Sequence, residues 1–383
     1  MNICLVCSEY PPGPHGGIGT ATQLVAQGLR RSGHQVRVAG VYSPFYPGPD
    51  YEAAEGIQVW RYRMPLSRWQ WMVTRYRFFR CIARWSRDRQ IDIVEVPDWQ
   101  GWAAYWPRLP VPVVVRMHGC AIYHARERGR KPRGCGWSLE RACLRRADFL
   151  SAVSRYVAEG TLAASGLSRR PAEVLYNSVE LPAAALGLSD RYPHRVVFTG
   201  TLTLNKGVVS LVDAWPRVKS LCPMAELDVF GKDGRGPDGA ASMQKYLQAR
   251  LPQPVRNSVR FHGHVGRERV FEALSSGRLG VFPSFSEACP LAPLEAMALG
   301  CPTVFTKLSC GPEMIRDGID GVLVDPHHPE EVAEAIACLL KDDALATRLG
   351  QAGRLRVAEE FSLKKTLPKI EQFYHQCLEA FCQ

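Results

Sequence analysis

Two glutamates, Glu287 and Glu295, stand eight positions apart in the stretch PSFSEACPLAPLEAMALGCP (Pro283–Pro302), which is otherwise small and largely apolar. An unpaired carboxylate in such surroundings costs on the order of several kcal/mol, so the pair calls for partners or a ligand. LGVFPS reads as a strand ending near Ser284–Ser286, and LAPLEAMALG reads as a helix with Pro293 in its first turn and Gly300 at its end. Glu287 then lies in the loop, and Glu295 about one turn into the helix. Two hydroxyl-binding carboxylates flanking a helix N-terminus suit a ligand with sugar hydroxyls on both sides of a diphosphate, a sugar nucleotide.

Other residues carry weaker signals. Lys206, in TGTLTLNKGV (Thr199–Val208), opens a helix after a strand and can face an anion or stay solvated. The loop is not a Walker A motif, since GxxxxGK[ST] is absent. His118 follows the apolar VPVVV strand and so falls at a sheet's carboxyl edge, as a site residue or a structural one. The loop HGGIG (His15–Gly19) permits close approach to a phosphate or sugar, or forms a plain tight turn. It is not a dinucleotide fingerprint: the third glycine position is Thr22, and no acid follows the second strand before Asp50. D-x-D is absent and His327–His328 sit in a Pro-rich turn, so no metal site is expected. Cys4 and Cys7 share CxxC spacing inside an apolar strand, where they point to opposite faces and read as buried reduced thiols.

The elements that must position these groups alternate along the chain. NICLVCS, QVRVAGV, DIVEV, VPVVVRMHG and FLSAVS read as strands separated by helical stretches; the pattern restarts at HRVVFTG and continues through AELDVFG, SVRFHGH, LGVFPS and PTVFT. This is an α/β chain with doubly wound parallel sheets, whose ligands bind at the carboxyl ends of the strands. With 383 residues it divides into two domains. They are expected at 1–187 and 188–362, with the weakly patterned Leu181–Pro193 as hinge and a cleft between them. Residues 363–383 read as a helix that is a candidate to pack back on the N-terminal domain. Hydrophobic content of 46% and charged content of 22% are those of an ordinary globular protein. No apolar run is long enough to span a membrane and MNICLVCSEYPP reads as a strand and turn, so a cytoplasmic location is expected.

E-x7-E after a PS strand and before EAMALGCP resembles the retaining glycosyltransferases of family 4, with the GT-B fold: two Rossmann-like domains facing each other across a cleft. The resemblance spans EYPPGPHGGIGT, VVVRMHG, VSRYVAE, VLYNSVE, FTGTLTLNKG, VRFHGHV and GPEMIRDGIDGVLVDP, so nearly the whole chain. It implies that Glu287 binds donor-sugar hydroxyls, Glu295 the nucleotide ribose, and Lys206 the diphosphate, with backbone at Pro290, Leu291 and Ala292 cradling it. It implies that Gly16 and Gly17 let the N-terminal loop approach the donor, that His118 faces the donor sugar, and that Val265 borders the base. The N-terminal domain would bind the acceptor and the C-terminal domain the nucleotide sugar. The implied activity is metal-independent, retaining hexosyl transfer from a UDP- or GDP-sugar, with the nucleotide sugar as co-substrate and no cofactor. The product would be a polysaccharide, glycolipid or other glycoconjugate; the alternatives are glycosylation of a soluble metabolite, another GT-B enzyme such as an epimerase, or a non-catalytic binding protein. Two departures stand out. Thr201 replaces a frequent arginine, and Cys310 replaces a glycine before PE, where it bears on the donor-sugar pocket.

The net charge of +11 is concentrated in the first half: residues 1–190 hold 25 Lys+Arg against 15 Asp+Glu. Trp60–Gln90 contains nine arginines, four tryptophans and one acid, Asp88, and is helical from about Ser67. It reads either as an interfacial membrane helix, with Arg75, Arg77, Arg80 and Arg84 as contacts, or as a domain helix with a solvated arginine face. HARERGRKPRGCGW adds a basic loop after His118. An anionic acceptor, lipid-linked or phosphorylated, accounts for both, with peripheral attachment to the membrane's inner face. No nucleic-acid-binding motif accompanies the charge, so none is expected as partner.

Overall fold

The computed structural model describes residues 1–65, 67, 70–129, 134–168 and 170–383. The chain forms two compact units, Met1–Ser178 with Leu363–Gln383, and Val179–Ser362.

Among the described residues, the first unit is built on an eight-stranded sheet. Its strands are β1 (Asn2–Val6), β2 (Gln35–Tyr42), β3 (Tyr51–Ala54), β4 (Ile57–Arg63), β5 (Ile93–Pro97), β6 (Val113–Met117), β7 (Phe149–Ala152) and β8 (Glu173–Val174). The order is β3-β4-β2-β1-β5-β6-β7-β8, parallel except for the β3–β4 hairpin. Central strands such as VVVRM are buried throughout, which is why they read as continuous β-branched runs without alternation. β4 instead alternates, and the two-residue turn Glu55–Gly56 that joins it to β3 has positive φ at both positions, the primed geometry that hairpins favour.

The C-terminal helix, Leu363–Cys382, belongs to this unit. Ile370, Phe373, Tyr374 and Cys377 recur at helical spacing and enter the core formed by Ile3, Leu5, Val25 and Leu29. The Tyr374 hydroxyl donates to Glu95 of β5 at 2.8 Å. Cys4 and Cys7 are fully buried and free; burial pushes both thiols up, Cys7 to about 12.

The second unit is built on a six-stranded parallel sheet among the described residues: β9 (Tyr192–Thr199), β10 (Glu226–Phe230), β11 (Val259–Gly263), β12 (Gly277–Phe282), β13 (Thr303–Thr306) and β14 (Val322–Val324). The order is β11-β10-β9-β12-β13-β14. Val196, Phe198, Leu227, Val229 and Val281 pack against Leu211, Trp215 and Ile336 of its helices.

The boundary lies at 178/179, nine residues before the expected 187/188. Val179 donates to the Phe361 carbonyl at 3.0 Å, and the Arg354 guanidinium binds the carbonyls of Pro182 and Ala298. Residues 179–187 are therefore tied to the second unit. Their composition announces the absence of a core element, not the unit that holds them.

Each sheet has a point where consecutive connections leave in opposite directions, between β1 and β5 in the first unit and between β9 and β12 in the second. A parallel α/β sheet opens a crevice there, at the carboxyl ends of the strands.

Candidate active site

In the second unit the loops after β9 and β12 meet at this switch point. After β9 the chain makes a short 3-10 turn, Leu204–Lys206, then takes a left-handed conformation at Gly207 (φ 67°). A Cβ at Gly207 would lie 1.7 Å from the Pro283 carbonyl oxygen, so only glycine lets the two backbones approach. Phe285 N–H donates to the Asn205 carbonyl at 2.8 Å and clips the loops together.

That backbone contact brings Lys206 to Glu287, Nζ to Oε1 at 2.7 Å. The lysine side chain is one-third exposed and the glutamate is nearly buried. Glu287 is held from behind, its N–H donating to the Ser309 hydroxyl at 3.0 Å. Cys310 is fully buried with its thiol 3.6 Å from the Met314 sulfur, so its side chain packs behind the loop.

The helix Leu291–Ala298 begins beside this pair, with Pro290 as its N-cap residue. Four positions at a helix start lack intrahelical acceptors for their N–H groups. Here Pro290 and Pro293 have no N–H at all, which leaves Leu291 and Ala292, neither with an acceptor among the described residues. Glu295 is the fifth residue of this helix. Burial raises its pKa, opposed by Arg267, whose Nη2 and Nε lie 2.9 and 3.3 Å from Oε1. Arg267 follows Val265 and Gly266 at the end of β11, so the half-buried Val265 belongs to the same carboxyl edge. Thr201 is exposed beside Gly200. Lys206, Val265, Glu287, Leu291, Ala292 and Glu295 thus all stand on the carboxyl edge of one sheet. An ion pair, two open N–H groups and a second, arginine-paired carboxylate can bind a polyhydroxylated anion.

In the first unit Gly16 is the N-cap residue of the helix Gly17–Arg31, after β1. The Glu9 carboxylate accepts from Gly19 N–H at 2.8 Å, and a Cβ at Gly19 would lie 2.1 Å from the Glu9 carbonyl oxygen. Gly19 is the glycine this turn requires. A Cβ at Gly17 would meet nothing within 4 Å, so no protein packing accounts for that glycine.

His118 follows β6 and is partly buried. Burial and the neighbouring Arg116 push its pKa down to about 3, so the ring is neutral near neutral pH. Its main-chain N–H donates at 2.9 Å to Asp98, a fully buried acid at the end of β5. The main-chain N–H of Cys120 also favours the Asp98 carboxylate, yet burial and nearby Glu140 carry its pKa up to about 7. Glu140, buried on the helix Cys135–Arg146, accepts from Ile122 N–H at 3.2 Å and is further supported by Ala121 N–H. Two buried acids therefore take up main-chain donors across 118–122 and fix the loop carrying His118. Neither stands out in the sequence. Asp98 was discoverable, since it directly follows the apolar strand that ends at the same edge; Glu140 sits in an ordinary-looking amphipathic helix.

The arginine-rich segment forms the helix Gln70–Arg87. Phe78, Ile82 and Trp85 are buried, while Met72, Val73, Tyr76, Arg77, Arg80, Arg84 and Arg87 are exposed. Arg75 departs from its expected role as a surface contact. Its guanidinium turns inward to the carbonyls of Gln100, Gly101 and Trp102 and lies 4.8 Å from the Trp102 ring centre. A planar cation with several donors satisfies the carbonyls of a tight turn more economically than solvent can. Residues 66, 68 and 69 of this segment, and 130–133 of the basic loop after His118, lie outside the described residues.

Two family models match the chain, one described as Glycosyltransferase Family 4 over residues 15–182 and one as Glycosyl transferases group 1 over residues 193–342. The chain belongs to the family 4 type of glycosyltransferases. An uncharacterized glycosyltransferase of Methanocaldococcus jannaschii is 25% identical, over 99% of both chains. Among solved structures, sucrose-phosphate synthase of Thermosynechococcus elongatus superposes with a TM-score of 0.78 at 20% identity, covering 99% of each chain. Anabaena HepE in complex with UDP-glucose superposes with a TM-score of 0.74 at 16% identity, covering 98% of this chain and 99% of that one. These likenesses establish the GT-B fold for this glycosyltransferase. Among its described residues no helix is long and apolar enough to cross a membrane, and no group of three His, Cys, Asp or Glu could hold a metal ion.

Proposed function

We propose that this glycosyltransferase moves a hexosyl group from a UDP- or GDP-sugar to an acceptor hydroxyl with retention of configuration and without a metal, in glycan or glycolipid synthesis. The observation that carries the reading is the Lys206–Glu287 pair, 2.7 Å apart at the switch point beside the open N–H groups of Leu291 and Ala292. Lys206 and those N–H groups stabilise the charge that develops on the departing diphosphate, where preorganised donors act most strongly. Glu287 holds hydroxyls of the transferred sugar and Glu295 those of the ribose, with Val265 against the base. Neutral His118 offers the donor sugar a hydrogen bond from a loop held rigid by Asp98 and Glu140, and Gly16 and Gly17 leave room for the donor. The acceptor oxygen attacks the face that the diphosphate leaves, and its proton passes to a diphosphate oxygen. The UDP-glucose complex of HepE favours a UDP-sugar as first choice.

Thermal shifts with UDP-, GDP- and ADP-glucose, followed by donor hydrolysis with EDTA present, test this directly. A shift with one nucleotide sugar, EDTA-resistant turnover and loss of turnover in Glu287→Ala are expected. Absence of both shift and hydrolysis, or near-normal turnover in Glu287→Ala, would sink the assignment.

The exposed stripe of Arg77, Arg80, Arg84 and Arg87, with Met72, Val73 and Tyr76 at its N-terminal end, supports attachment to an anionic membrane surface. Co-sedimentation with phosphatidylglycerol vesicles should disappear when Arg77, Arg80 and Arg84 become glutamate. Arg75→Ala should keep vesicle binding and lose stability instead, because its contacts are internal; equal effects of both changes would refute the distinction.

A further inference from the structure

The first unit carries a second polar groove that the donor chemistry does not use. It runs along the helix Cys135–Arg146, holds about 420 Å³, and is walled by Tyr105, Trp137, Ser138, Arg141, Arg145 and Arg146. Residues 138, 141 and 145 recur at helical spacing, so from Trp137 to Arg145 the helix offers one continuous strip roughly 12 Å long. The strip begins near the start of the helix and runs with it toward β7.

Three observations give the groove a chemistry. Its lining contains three arginines and no acid. Arg146 is spent on the carbonyls of Trp106 and Pro107 and on Asp148, and Arg141 binds the Ser165 carbonyl and lies 5.5 Å from the centre of the Trp137 ring. Arg145 is exposed and has no partner among the described residues, so its guanidinium is available to an anion. Trp137 contributes ring surface to the lining; its indole N–H is buried, with no acceptor among the described residues. Tyr105 stands with its side chain largely solvent-exposed, 75% by residue, on a backbone with φ of 61°. A bulky residue in that region is strained, and strain of this kind collects where a ligand is held. Tyr105 is also fixed from behind, because adjacent Trp106 packs on Phe78 and Phe79.

We propose that this groove binds an anionic saccharide and serves as an anchoring subsite for the acceptor. Tyr105 and Trp137 supply aromatic surfaces for pyranose rings. Arg145 takes a carboxylate or phosphate, in a local field that the neighbouring Arg141 keeps positive. The open form of the groove suits a chain that passes along it. Assignment of the saccharide as acceptor rests on the proposed glycosyltransferase activity; the binding itself does not.

The test is titration calorimetry and saturation-transfer NMR on the full chain. The probes are trigalacturonate and glucose 6-phosphate as carboxylate and phosphate arms, maltotriose as the neutral match, and UMP as a nucleotide. At least one anionic saccharide should bind ten times more tightly than maltotriose. Arg145→Glu should weaken that binding at least tenfold and Tyr105→Ala severalfold, while Trp137→Phe, which keeps an aromatic ring, should change it by less than about twofold. Equal binding of maltotriose and the anionic sugars, no response to Arg145→Glu, or saturation transfer from the protein to UMP alone would overturn the proposal. Donor hydrolysis, measured in parallel, should be unchanged in Arg145→Glu. If the wild-type chain binds the anionic probe but never hydrolyses a donor, the enzymatic reading fails and the binding site stands.

Discussion

The roles proposed for Lys206 and Glu287 make opposite demands on nucleotide and on nucleotide sugar, and that separates them. At 2.7 Å the two charges attract with roughly 1.5 kcal/mol in bulk water and about 6 kcal/mol at an effective dielectric near 20. With the lysine one-third exposed and both groups partly desolvated, the net worth of the pair falls to about 1–2 kcal/mol. On the proposed reading, bound UDP would share Lys206 with Glu287. Lys206→Ala removes a charge-assisted contact worth about 1.5–3 kcal/mol, so UDP should bind about 10- to 150-fold more weakly. Glu287→Gln releases the lysine from its partner, and UDP should then bind as well as before or up to about fivefold better. Transfer from UDP-glucose should nevertheless fall at least about 100-fold in Glu287→Gln if, as proposed, the carboxylate serves the reacting sugar and not the nucleotide. Calorimetry with UDP and single-turnover transfer, on variants first shown to melt cooperatively, read the two effects separately. If Glu287→Gln weakened UDP as much as Lys206→Ala, the carboxylate would be helping to hold the nucleotide instead of competing for the lysine. Near-normal transfer in that variant would remove Glu287 from the chemistry.

Further tests address the first unit and the loop contact. The pKa of Asp98 rises on folding from the usual carboxylate value to about 7, so the unfolded chain releases this proton first and Asp98 erodes stability as pH climbs from about 4 to 7. Asp98→Asn should therefore gain on wild type by about 1–3 kcal/mol between pH 5 and pH 8 in urea unfolding; a pH-independent difference would mean that Asp98 is ionised throughout. Gly207→Ala should cost more than about 3 kcal/mol, since its Cβ strikes the Pro283 carbonyl and φ is positive. Gly17→Ala, with open space around the new methyl, should change stability by less than about 0.5 kcal/mol while weakening donor use, and a Gly17→Ala enzyme with unaltered donor kinetics would remove that loop from the site.

The strands, their parallel winding and the placement of Glu287 in a loop and Glu295 in a helix were legible in the sequence. Those features follow from local signals: β-branched runs buried on both faces, glycines and prolines at turns, and a helix start marked by Pro290 and Pro293. The helical spacing of Ile370, Tyr374 and Cys377 along the C-terminal helix belongs to the same class, although the sheet it covers does not.

What only the tertiary structure decided is the pairing of charges between segments far apart in the chain. Lys206 and Glu287 are 81 residues apart, and they meet because Gly207 lets one loop's backbone touch another's. Asp98 and Glu140 act together on the His118 loop through main-chain N–H groups, which no side-chain pattern announces. Arg75 is separated from Arg77 by orientation alone: on a helix two residues apart, side chains point some 200° away from each other, and the neighbouring carbonyls chose which arginine turned inward. Sequence periodicity reports which face of an element is apolar; it contains no information on which polar group of another element will be waiting there.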